Sequence, residues 1–121
     1  MRLFFTLGAV FGGIGVTLGA FGAHTLRNTL TPDALATFEI GVRYQMYHAL
    51  ALLAVSWAST QWEAATIAAA GWAFVIGILV FSGSLYVLVL TGQRWLGAVT
   101  PIGGIAFLVG WGLLALTALR G

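Results

Sequence analysis

Residues 64–93 read AATIAAAGWAFVIGILVFSGSLYVLVLTGQ, thirty consecutive positions without a charged side chain. A hydrocarbon core of about 30 Å is crossed by about 20 predominantly apolar helical residues at 1.5 Å each. The run is long enough, and it predicts a membrane-spanning helix. Working outward, the charges bound three more such stretches, at 3–23, 44–62 and 95–119. All four are continuous, whereas the strands of a membrane barrel alternate over short segments. The expected fold is all-α, an integral-membrane four-helix bundle with helices near 3–26, 32–60, 64–91 and 96–119. One domain spans 1–121.

Composition agrees. Of 121 residues, 60% are hydrophobic and 7% charged, against roughly 25% charged in an ordinary soluble domain. Mean hydropathy is +1.02. Five Arg and three acids cannot keep such a chain in water, so the solvent is lipid. The absence of Cys excludes disulfide frameworks and thiol chemistry. A net charge of +2 from scattered Arg makes no basic stripe, and no nucleic-acid partner is expected. Arg2, the apolar run after it and Ala20-Phe21-Gly22-Ala23 imitate a signal peptide. The run is longer and richer in Gly than a typical signal core, so it is expected to be retained as the first helix.

The joints carry their own signals. Thr31-Pro32-Asp33 combines an N-cap, a first-turn Pro and an acid at the positive end of the helix dipole. From Pro32 to Arg43, Leu35, Phe38 and Val42 fall at i, i+3 and i+7, opposite Thr37 and Glu39. This is a short interfacial amphipathic helix leading, without a break, into helix two. Gln61-Trp62-Glu63 is a link, and Gly92 stops helix three. Thr100-Pro101 repeats the Thr-Pro start: helix four begins there, or it kinks there. Arg27, Arg43 and Arg94 lie toward loops one and three, against Arg2 and Arg120 at the other face, which favours those loops in the cytoplasm.

In lipid, close helix packing depends on small residues. Gly8, Gly12, Gly15, Gly19 and Gly22 follow at spacings of four, three, four and three, a smooth seam along helix one. It is expected to face another helix, within the bundle or across an oligomer. The polar side chains are concentrated toward one end. His24 and Arg27 close helix one; Glu39, Arg43, Tyr44, Gln45, Tyr47 and His48 lead into helix two. Ser82, Ser84 and Tyr86 lie late in helix three, and Thr100 opens helix four. Polar groups at membrane depth are costly, so such a cluster requires a cause. It is a candidate polar network or ligand pocket. His24 and His48 are expected at similar depth, and Arg43 is expected to pair with Glu39, a helix-end carbonyl or an anion. Neither His-x-x-x-His spacing nor a Ser-His-Asp set is present. No metal, cofactor or catalytic residue is assigned, and an enzyme is not expected.

Four blocks together resemble a known family. They are Gly-Ala-Phe-Gly-Ala-His at 19–24, Arg43 to Ala51, Phe81-Ser82-Gly83-Ser84-Leu85-Tyr86 and Thr100-Pro101-Ile102-Gly103-Gly104. In this order they closely resemble the YgdD/YwdK-type small inner-membrane proteins, a domain of unknown function. The resemblance implies four transmembrane helices and a multi-pass location in the bacterial inner (plasma) membrane; it carries over no chemistry. Two functions stay open. One is a packing or accessory module of a homo-oligomer or larger membrane complex, surrounded by membrane lipids. The other is binding or transport of a small molecule, ion or lipid through the polar end.

Overall fold

The computed structural model describes residues 2–63 and 65–121. Ala64, where the sequence reading starts the third helix, lies outside the described residues. Four long helices run through the rest: α1 (Arg2–Leu26), α2 (Pro32–Gln61), α3 (Ala65–Thr91) and α4 (Leu96–Arg120). The molecule is an all-α integral-membrane four-helix bundle.

Local chemistry sets the ends. Thr31 is extended (φ −63°, ψ 158°), and its hydroxyl accepts the Ala34 N–H at 3.1 Å. Pro32 follows at the first helical position. The amphipathic segment is simply the first three turns of α2, since the helix continues unbroken to Gln61. α3 stops where Gly92 takes up a left-handed conformation (φ 73°) and its N–H reaches the Leu88 carbonyl at 2.7 Å. Helix α4 starts at Leu96 rather than at Thr100. The N–H groups of Leu96, Gly97 and Ala98 bond back three residues, at 3.2, 3.0 and 3.0 Å, so a tight first turn precedes Pro101. Thr100 Oγ1 donates to the Leu96 carbonyl at 3.2 Å, within the turn Pro101 cannot itself close.

Three helices, α1, α3 and α4, are long and apolar enough to cross a membrane. α2 is the longest, at 30 residues, but holds more polar groups. It compensates by position. Phe38, Gly41, Gln45, His48, Leu52, Val55 and Ala58 are all buried, so Gln45 and His48 meet protein rather than lipid. Outside, Val10, Ile14, Leu79, Ile105 and Leu108 stand exposed as an apolar coat.

The glycine seam of α1 packs within the chain. A Cβ on Gly8 would lie 2.8 Å from the Ala49 carbonyl oxygen, and one on Gly15 would overlap Met46. Gly19 faces Val42, and Gly22 faces the Phe38 ring. Gly12 is looser, with Ala49 Cβ at 3.9 Å. Between α3 and α4 the rule is reciprocal: Phe107 fills the space over Gly77, and Phe74 the space over Gly110. Around these rings lies the core of Phe4, Leu52, Val55, Ile67 and Ile78.

Candidate functional site

Gln45 sits thirteen residues into α2, about 20 Å along it at 1.5 Å per residue, and so near the middle of the bundle. It is 3% exposed. Its Nε2 donates to the Phe11 carbonyl on α1 at 2.8 Å, and its Oε1 accepts the Tyr86 hydroxyl from α3 at 2.7 Å. One amide therefore joins three helices. Gly15 makes this possible, because its missing side chain lets α1 approach the Met46 and Gln45 side chains.

Below Tyr86, Ser82 Oγ donates to the Gly41 carbonyl at 2.6 Å, wholly buried. Ser82 ends a π-turn at Ile78–Ser82, where an extra residue widens the helix. The backbone of Phe81 in this turn packs directly on Gly103. The Ser84 and Thr100 hydroxyls meet at 2.6 Å, tying α3 to α4. A second π-turn, Leu18–Gly22, lies in α1 beside Val42 and Phe38.

His48 lies one turn past Gln45 and is 4% exposed. Its Nδ1 is 2.7 Å from the Tyr44 carbonyl, which can only accept, so Nδ1 carries the proton. Its Nε2 is 3.1 Å from Trp111 Nε1, whose N–H can only donate. Both partners are satisfied by one neutral tautomer. The ring stacks on Phe107 with centroids 3.5 Å apart and planes 7° from parallel. The arrangement can lock α2 to α4; the ring offers no free lone pair to a metal or a substrate.

The other predicted residues fall elsewhere. His24 is exposed and accepts a hydrogen bond from Arg27 Nη2 at 3.1 Å, both at the end of α1. The contacts of Gly22 with Phe38 and Gly15 with Met46 set the register of α1 on α2. His24 therefore lies beyond the Phe38 level, and His48 at least about 15 Å away along the axis. The expectation of similar depth fails because the turns of α2 before Tyr44 already pack on α1, Phe38 on Gly22 and Val42 on Gly19. Glu39 and Arg43 are both exposed and form no ion pair among the described residues. Each can be hydrated near the headgroups, where a surface pair gains little. The structure thus buries Gln45, His48, Ser82 and Ser84, with Tyr86 half-buried, at successive levels of the bundle, and leaves His24, Arg27, Glu39 and Arg43 exposed. Tyr44 is also exposed, its ring 4.8 Å from that of Phe81.

Sequence reasoning missed Trp111, Phe107, Gly41 and the Phe11 carbonyl. Trp111 had a usable signal, an indole between Gly110 and Gly112 far from either helix end. The backbone acceptors had none. Among the described residues, every buried side-chain nitrogen and oxygen has a hydrogen-bond partner. No group of three or more His, Asp or Glu with metal-binding geometry occurs among them either.

Comparison with known proteins adds the following. Residues 18–104 match the family described as "Protein of unknown function (DUF423)". The UPF0382 membrane protein YwdK of Bacillus subtilis is 40% identical over 121 residues, covering 99% of this chain and 98% of that protein. The UPF0382 membrane protein SSP2132 of Staphylococcus saprophyticus is 46% identical over 116 residues, 96% of each. No solved structure matches the chain.

Proposed function

The chain belongs to the DUF423 family of membrane proteins of unknown function, and from that premise we propose that it works by association rather than by catalysis. It is a packing or accessory module, forming a homo-oligomer or joining a larger complex in the bacterial inner membrane. One observation carries this reading: the buried polar side chains are consumed in bonds between the protein's own helices. A transport or ligand site needs unpartnered donors or acceptors along its path, and among the described residues no buried side-chain nitrogen or oxygen lacks a hydrogen-bond partner. Loops one and three face the cytoplasm in this reading, three Arg against two.

The test is photo-cross-linking in native membranes from Val10 and Ile14, which project from α1. The reading predicts a discrete cross-linked species larger than the monomer. Monomer alone from both positions, together with saturable solute uptake in proteoliposomes that Gln45→Leu abolishes, would support transport instead.

A further inference from the structure

A furrow of adjoining hollows follows the outer seam between α2 and α4. Its inner half, about 370 Å³, is lined by Tyr47, His48, Gly104 and Trp111 among others. Its outer half, about 350 Å³, has Ala54 and Ala58 from α2 and Ala115 and Ala118 from α4. Trp111 borders both halves. The outer half shares Trp62 with a third cavity of about 620 Å³ at the membrane face where α2 ends. That cavity is partly polar, with Gln61, Glu63, Thr66, Thr117 and Arg120 in its lining beside Trp62 and Ala65. Apolar trough and polar mouth make one amphiphilic groove.

We propose that this groove binds one phospholipid whose headgroup carries both a phosphate and an ammonium, with an acyl chain lying between α2 and α4. Length fits first. From Trp62 to His48 the furrow follows α2 for about 21 Å, more than one leaflet of a core about 30 Å thick. Small residues open the trough, and the Trp57 and Trp62 rings stand at its mouth, edge to face at 6.0 Å. Indoles favour this depth. Charge then selects the headgroup. Arg120 and Glu63 line the same cavity and form no ion pair with each other among the described residues. A guanidinium suits phosphate, and a carboxylate suits an ammonium. A headgroup with negative charge alone satisfies Arg120 but is repelled by Glu63. The inference does not depend on the protein's having a partner, and it concerns the face opposite His24.

Native mass spectrometry of the full chain, titrated with phosphatidylethanolamine or phosphatidylglycerol, tests it. The expected result is one phosphatidylethanolamine retained per chain under detergent conditions that strip phosphatidylglycerol. Arg120→Ala should weaken phosphatidylethanolamine retention at least fivefold. Glu63→Gln should erase the preference between them. Ala115→Trp fills the trough and should remove the adduct; Ala118→Trp does the same from a second position should the first fold poorly. Graded, non-saturating adducts that Arg120→Ala leaves unchanged would reduce the groove to ordinary annular contact and overturn the proposal. So would a dimer in which Ala115→Trp alters the oligomer mass and not the lipid count, because a second copy would then occupy the furrow.

Discussion

His48 illustrates how a titratable side chain can sit at mid-bundle without a charge. A carbonyl on one nitrogen and an indole N–H on the other define one neutral tautomer, protonated on Nδ1. Nitrogen-15 NMR of the full chain in lipid should find that form, and Trp111→Phe should perturb the Nε2 shift alone. A ring protonated on Nε2 would show the α2–α4 bond to be wrong. Gln45 is the second test at this scale. Its amide bridges α1 and α3 through Phe11 and Tyr86, and interhelical bonds in membranes average about 0.6 kcal/mol, with a maximum of about 1.7 kcal/mol. A double-mutant cycle of Gln45→Leu and Tyr86→Phe should give a coupling in that range, read from unfolding in mixed micelles. Zero coupling would mean that the two side chains do not meet. That these residues mattered was legible in their chemistry, since Gln, His and Ser are rare and costly at membrane depth. Their partners were not, because backbone carbonyls are present at every position and only the packing selects Phe11 and Gly41.

At the level of elements, the glycines differ in what opposes them, and stability should follow that difference. Gly8→Ala pushes a methyl against the Ala49 carbonyl, and Gly103→Ala against the Phe81 backbone. Backbone cannot step aside, so each should cost about 1–3 kcal/mol. Gly15→Ala meets the flexible end of Met46 and should cost less. Gly13→Ala has nothing within 4 Å and should be neutral or stabilising by up to about 1 kcal/mol, from helix propensity. Thermal unfolding of the four variants gives the order; equal effects at Gly8 and Gly13 would dissolve the seam. The spacing of these glycines announced a contact, and the Thr31-Pro32 and Gly92 signals placed two helix ends, because capping is local chemistry. The π-turns at Leu18–Gly22 and Ile78–Ser82 left no such mark. The start of α4 was ambiguous for a related reason: Thr-Pro opens α2 but lies inside α4, and only the bonds of residues 96–98 decide.

For the whole molecule, the sequence identified a membrane bundle but misjudged the relative depth of its two histidines. Taking His24 and Tyr44 as matching ends of their spans put His48 beside His24, whereas Gly22 packs on Phe38 and sets His24 beyond that level. In the bundle, α2 passes its charged residues Asp33, Glu39 and Arg43 along an exposed side and carries Gln45 and His48 to the centre of the fold. A helix packed along α1 and α3 can hold polar groups that a helix surrounded by lipid could not. The central claim is therefore that α2 crosses with the others around an interior closed to water. Because the chain has no Cys, single substitutions report on this cleanly. Thr29→Cys, Gln61→Cys and Ser82→Cys should be treated in sealed membrane vesicles of one orientation with an impermeant thiol reagent, then after permeabilisation. The account predicts that positions 29 and 61 label from opposite sides and that 82 stays unlabelled until the protein is unfolded. Labelling of 29 and 61 from the same side, or of 82 in the folded protein, would contradict it.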